Sequence, residues 1–442
     1  MNVLKDNPLH IFVQYAIPSV LGMLAISSAG IVDGLFVGNY VGAIGLAAIN
    51  MSIPFFSLLF GISLMLAIGS SVVAGKLIGQ GNTQTASSIF TKAFITILIL
   101  SILLTSMLYF NIDRLLKVFG ASEELLSVAG VYLHYILLFI PFLMMGIVLD
   151  YFVKIDSRPS LAFGALLLSA LTNIVLDWFL IVYLDQGIVG AALATGISQL
   201  VLLFVLLPHF FSKKASIKFV KPTGSWVDIA KAGSNGASEF VNEMSVGMIT
   251  ILFNYTMIKM FGVDGVAAYT VVNYILWISI MVSFGISDSL QPIVSKNFGA
   301  REPKRVEAFL KYAFLSVTLI AFILALCVLL VPEKIVALFL DQGESNSREI
   351  ILIFISLVWP AFFFNGPNMV ISAYFTAMHK PKQSAIIALL RSLLLPAFFI
   401  TVLPLFLENR GVYLAIPLSE FFTLFVAILL FRFATPQKLI KT

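Results

Sequence analysis

Twelve apolar runs, most of them long enough to form a membrane-crossing helix and separated by short polar breaks, dominate this chain. Crossing the hydrocarbon layer takes about 20 helical residues at about 1.5 Å per residue. The runs fall at 11–36, 43–75, 93–111, 127–149, 161–183, 187–208, 232–258, 265–293, 309–331, 350–377, 384–406 and 411–431. Composition agrees, since 60% of the 442 residues are hydrophobic and 11% are charged, against about 25% charged in soluble domains. Lipid is therefore the solvent, and the expected fold is an all-α integral membrane protein of twelve transmembrane helices. The opening stretch MNVLKDNPLHIFVQYAIPSV has no basic region followed by a small-residue cleavage site, so the first helix is expected to remain in the mature protein.

An even number of crossings puts both termini on one side. Twenty of the 27 lysines and arginines fall on that side, with a cluster from Lys213 to Lys231; six fall opposite, and Arg391 alone falls inside a helix. The excess of Lys and Arg in cytoplasmic loops makes the termini side cytoplasmic, in the inner membrane of a cell. Topology thus accounts for the net charge of +5, and no nucleic-acid partner is needed to explain it.

The chain also repeats itself. A shift of 220 aligns Gly45, Ala47, Ala48, Lys76 and Gly79 with Gly265, Ala267, Ala268, Lys296 and Gly299, and the offset then drifts as Pro141 pairs with Pro360, Pro159 with Pro381 and Gly187 with Gly411. The expected organisation is a six-helix lobe over 1–210, a basic cytoplasmic linker over 211–231 and a second six-helix lobe over 232–442. Lobes with even helix counts share one orientation and are related by an axis along the membrane normal. Two such pseudo-symmetric bundles around a central cleft suit alternating access.

Enzyme chemistry finds no support. The single cysteine, Cys327, excludes a disulfide framework or a cysteine metal site, and His10, His134, His209 and His379 have no second ligand at zinc spacing. No cofactor is expected. The intramembrane acids are more informative: of 22 acidic residues, Asp33, Asp177, Glu239, Glu243, Asp288 and Glu420 lie inside the runs. A charge at the bilayer centre costs about 2.5–3.5 kcal/mol on insertion scales, so each is a functional candidate by default.

Asp33 lies near the outer end of the first helix, Asn173 and Asp177 one turn apart in the fifth, and Thr195 about two turns into the sixth. All four belong to the outer half of the membrane. Two carboxylates, an amide and a hydroxyl at one depth make an oxygen cage that suits a hard monovalent cation such as Na+. Carboxylates sharing a low-dielectric site equally suit a proton, so H+ and Na+ both remain open. The bland alternative for Asp33 and Asp177 is an interfacial position or a loop cap. Glu239, Glu243 and Asp288 are candidates for attracting cationic substrates or relaying protons, the alternative being pairing with Arg391, while Glu420 reads as a structural partner for a polar group on a neighbouring helix. The repeat-equivalent positions of the cage acids hold Phe253 and Phe399, which confines the cage to the first lobe.

The stretches IVDGLFVGNYVGAIGLAA at 31–48, GKLIGQGN at 75–82, NIVLD at 173–177, GAALATGISQ at 190–199, GSNGASEFVNEMS at 233–245 and QPIVSKNFGA at 291–300 resemble the multidrug and toxic compound extrusion (MATE) family, the last two its MepA-like branch. The resemblance spans both halves. It implies twelve helices in two bundles and extrusion of organic cations or other lipophilic drugs in exchange for sodium or protons, with no obligate protein partner. Its cation-site residues map onto Asp33, Asn173, Asp177 and Thr195, and its neighbouring tyrosine onto Tyr132, with Tyr135 close by. Some branches carry coupling carboxylates in the second half, where Glu239, Glu243 and Asp288 stand, with Arg391 as a further substrate-site candidate. The competing expectations are a lipid-linked sugar flippase, which would need basic groups in the cleft, a membrane-embedded enzyme, and a receptor or scaffold.

Overall fold

The computed structural model describes residues 2–337 and 345–441; Met1 and Thr442, the end residues of the expected lobes, lie outside them. Nine helical stretches are long and apolar enough to cross a membrane, and two bent pairs pass the same test. The 63-residue stretch Ala237–Gly299 is broken at Gly262, whose φ of 66° and ψ of −151° belong to a region that only glycine enters without strain. Counting that stretch as two helices gives twelve crossings among the described residues.

In chain order these are α1 Pro8–Tyr40, α2 Ala43–Gly79, α3 Thr83–Tyr109, α4 Glu123–Leu137 with Ile140–Ile155, α5 Pro159–Tyr183 and α6 Gly187–Phe211. There follow α7 237–261, α8 263–299, α9 Pro303–Leu330, α10 Asn346–Val358 with Ala361–Ala377, α11 Pro381–Leu407 and α12 Asn409–Phe433. Proline opens several of them, at positions where a missing N–H removes no helical bond: Pro8, Pro159, Pro303 and Pro381 stand in first turns. Asn82 caps α3 by accepting from Thr85 N at 3.1 Å, and Ser122 caps α4 by accepting from Leu125 N at 3.3 Å.

The internal repeat is visible in the irregularities. α4 bends by 49° where its second segment starts at Ile140–Pro141, and α10 bends by 53° at Pro360. Those prolines are the aligned pair. α5 and α11, which the repeat also pairs, each contain a π-helical stretch, but at different places: Trp178–Tyr183 near the end of α5 and Leu390–Leu394 in the middle of α11. Pro18 and Pro54 lie inside helices that stay continuous.

On the termini side the two lobes touch through backbone. A Cβ on Gly79 would strike the carbonyl of Lys296, and one on Gly299 would strike the carbonyl of Lys76, while one on Gly75 would strike Ser295. This α2–α8 crossing is itself twofold, because Gly79 and Gly299 are repeat equivalents. The start of α1 also crosses over: Ile11, Phe12 and Tyr15 pack in one core with α8 and α9.

The basic segment after α6 is no loose tether. Ser87, Ser88 and Thr91 of α3 accept hydrogen bonds from Lys218 N, Thr223 N and Val220 N, and Asp156 accepts from Ser216 N. Lys92 Nζ donates to Ser225 O at 2.8 Å. The charge reading needs a correction as well, since Arg391 is not the sole basic residue inside a helix: Lys92, Lys154 and Lys296 are helical and buried. A lysine near a helix end satisfies its charge with whatever oxygen lies nearest, here protein oxygen.

Two measurements follow from this packing. Gly79→Ala and Gly299→Ala are expected to lower the melting temperature of the detergent-solubilised protein by several degrees, since overpacking costs about 1–3 kcal/mol. Gly164→Ala, where a Cβ meets nothing within 4 Å, serves as the neutral control. The second concerns His379, in the turn between α10 and α11 at φ 57°. Burial, then the Lys76 charge, push its imidazole down to about 4. The folded chain therefore holds fewer protons than the unfolded one between about 6.5 and about 4, so stability is lost as the pH is lowered through that window, by up to about 1.4 kcal/mol per unit. His379→Asn, which tolerates positive φ, is expected to weaken the pH dependence of melting relative to the wild type.

Candidate functional site: an acidic cleft between the lobes

α1 and α5 run away from the termini side and α6 returns, so the ends carrying Asp33, Asn173, Asp177 and Thr195 meet near the far side. There a cavity of about 390 Å³ is lined by Asp33, Tyr132, Asn173, Thr195, Gln199 and Glu243, among others. Asp177 lies fully buried just behind this wall, at the residue where α5 passes into its π-helical stretch. Such stretches break the regular helix pattern and recur at functional sites.

The Asp33 and Asp177 carboxyl groups are within hydrogen-bonding reach of one another, and Tyr132 lies within electrostatic range of both. Asn173 Nδ2 donates to Thr195 Oγ1 at 3.4 Å. Among the described residues no N–H or O–H donates to Asp33 Oδ1 or to either oxygen of Asp177. Buried acceptors without donors are costly, at about 1–3 kcal/mol each and more when charged, which makes this group a candidate for holding a proton or a cation. The five positions Asp33, Asn173, Asp177, Thr195 and Tyr132 are thus brought together; Tyr135, the alternative tyrosine, is exposed.

The second set divides. Glu239 is buried beside Asp288 in a small cavity of about 20 Å³ that Arg391 also lines. Glu243, one turn along α7, instead faces the cleft. It lines the cage cavity, a central cavity of about 320 Å³ with Phe60, Tyr151 and Trp277, and a third of about 210 Å³ with Tyr269 and Arg391. Trp277 Nε1 spans the lobes to donate to Ser27 Oγ at 3.2 Å.

Arg391 does not pair with Glu239, Glu243 or Asp288. Its Nε donates to Glu420 Oε1 at 3.0 Å, and Asn368 Nδ2 donates to the other Glu420 oxygen at 2.7 Å. Arg391 lies within the π-helical stretch Leu390–Leu394 of α11, and Glu420 in α12. Asp288 pairs with Lys154 at 2.9 Å, and Lys154 also pairs with Asp150 at 2.6 Å. Sequence reasoning missed Asp150 and Lys154 because the fourth apolar run was closed at 149. The signal available was an acid and a base at i, i+4 spacing where an apolar run ends.

Twelve helices in two repeated bundles, with a cleft between them that holds acids and aromatic rings, define a multi-pass membrane transporter. A sequence model of the MatE family matches residues 18–179 and again 239–401, one match per lobe, and the chain belongs to that family. The multidrug export protein MepA of Staphylococcus saprophyticus is 22% identical over 412 residues, covering 90% of each chain. MepA of Staphylococcus aureus is 23% identical over 415 residues, again covering 90% of each. Among solved structures, one described as the outward-facing conformation of a multidrug resistance MATE family transporter of the MOP superfamily superposes with a TM-score of 0.93. That structure is 23% identical and covers 100% of this chain and 98% of its own.

The Arg391–Glu420 pair has its own test. Removing one partner of a buried pair costs about 3–5 kcal/mol, so Arg391→Gln is expected to lower the melting temperature sharply. Arg391→Gln with Glu420→Gln is expected to recover much of the loss.

Proposed function

We propose that this protein is a secondary active multidrug efflux transporter that exchanges cytoplasmic organic compounds, often cationic, for H+ or Na+ by alternating access. The observation that carries this reading is the Asp33–Asp177 pair, three of whose oxygens (Asp33 Oδ1 and both of Asp177) are buried without a donor among the described residues, beside a cavity that also holds Glu243. Asp33, Asn173, Asp177 and Thr195 supply the oxygen ligands for the coupling ion, and Tyr132 stands next to them. Glu243 sits where the cavities adjoin and offers a carboxylate to a cationic substrate, with Phe60, Trp277 and Tyr269 as flat apolar contacts. Ion and substrate then favour different arrangements of the lobes, which is what coupling requires.

The lobes in this reading are 1–210 and 232–442, joined by the strapped segment 211–231. The termini side, rich in Lys and Arg, is cytoplasmic, in the inner membrane. The flippase reading gains nothing, because the basic groups it would use are engaged: Arg391 by Glu420 and Lys154 by two aspartates.

Efflux-deficient cells expressing the wild type are expected to accumulate several-fold less of a fluorescent lipophilic cation than cells with empty vector, and Asp33→Asn at equal expression is expected to lose that difference. Removing sodium or collapsing the proton gradient identifies the ion by which treatment abolishes export. Equal accumulation with and without the wild-type protein, across several cations, would overturn the substrate class; undiminished export by Asp33→Asn would overturn the role of the cage.

A further inference from the structure

We infer that Lys154 and Asp288 form a charge latch that holds the two lobes together at the floor of the cleft. Lys154 stands in the last turn of α4, in the first lobe, and Asp288 in α8, in the second. Their side chains meet at 2.9 Å and each residue is 2% exposed. Asp150 and Tyr151, one turn or less before Lys154, line the central cavity, so the pair lies directly beneath the cleft. On its other side comes the tight α2–α8 crossing, where Gly75 faces Ser295 and Gly79 faces Lys296.

The two acids on Lys154 have different mechanical roles. Asp150 shares its helix at i, i+4 and keeps its 2.6 Å contact however the lobes move. Asp288 belongs to the opposite lobe, so any separation on the termini side strips it of its cation. Its Oδ1 already lacks a donor, and Glu239 lies close enough to repel it. A buried carboxylate deprived of its counter-ion is strongly destabilised, so opening toward the termini side requires a replacement charge at Asp288, either a proton or a cation. Tyr15 of α1 fastens the same point, donating from Oη to Lys154 O at 3.0 Å, and the Tyr151 ring lies 4.8 Å from Nζ. The ammonium group therefore cannot follow Asp288 without leaving Asp150 and the Tyr151 ring.

The latch rests on the alternating-access reading, but its test needs neither substrate nor ion gradient, so a protein that exports nothing still reports on it. In a Cys327→Ser background in nanodiscs, Ser295→Cys reports on the termini-side crossing and Ser57→Cys on the far-side cavity, each read by its rate of reaction with a polar maleimide. Adding Asp288→Asn or Lys154→Gln is expected to speed labelling at 295 by roughly tenfold, as the closed arrangement loses its advantage, and to slow it at 57. The exchanged pair, Lys154→Asp with Asp288→Lys, is expected to return both rates toward those of the parent. Unchanged rates at 295 overturn the latch. Faster labelling at both reporters also overturns it, since that signals loosening rather than a shift between two closed arrangements, and so does an exchanged pair that behaves like the single variants.

Discussion

A carboxylate held away from water needs a cation, a proton or a hydrogen-bond donor, and in lipid it cannot borrow one from solvent. The interior of this protein is organised by how each acid meets that demand. Glu420 is satisfied by Arg391 and Asn368, Asp156 by His209 and Ser216, and Asp288 in part by Lys154. Asp33 and Asp177 have chiefly each other. The satisfied acids fix helices against one another, and the unsatisfied pair is where an external charge is welcome.

The same distinction separates the lobes. The apolar core of the first lobe is one continuous cluster that runs from α2 through α6 and takes in Ile217 of the strapped segment. The second lobe has two apolar clusters, one nearer the termini side around α8 and α9 and one nearer the far side around α7, α10 and α11. Between them lie Glu239, Asp288, Asn365, Arg391 and Glu420, which line two adjoining cavities, with Asn368 bonded to Glu420. The lobes share a repeat and diverge in where they hold charge, so the pseudo-twofold axis relates backbones rather than chemistry. Gly79 and Gly299 keep the twofold contact where the backbones must approach closely, while Asp33 and Asp177 face no acidic counterparts at Phe253 and Phe399, both packed in apolar surroundings.

Regular helix fails at a few defined places in this molecule. The bends at Pro141 and Pro360, the π-turns at Trp178–Tyr183 and Leu390–Leu394, and the break at Gly262 are departures from uniform hydrogen bonding. Two of them adjoin charged groups, Asp177 and Arg391. In the proposed exchange a local charge event must reach an element with two stable arrangements, and these breaks are the candidates for that element.

Much was determined by sequence alone: the twelve crossings, the repeat, the bias of basic residues and the depth shared by Asp33, Asn173, Asp177 and Thr195. Those properties follow from helix rise, bilayer thickness and chain direction, which are local and additive. The partners of the charges were not legible. Arg391, within a π-helical stretch, meets Glu420, Lys154 meets Asp288 across the lobe boundary, and the basic segment after α6 lies strapped to α3 by hydroxyl groups. Each of these depends on which distant oxygen is nearest once the helices have packed. Spacing along the chain carries the depth of a residue in the membrane, whereas only the tertiary structure decides the azimuth of its side chain and the neighbour it meets.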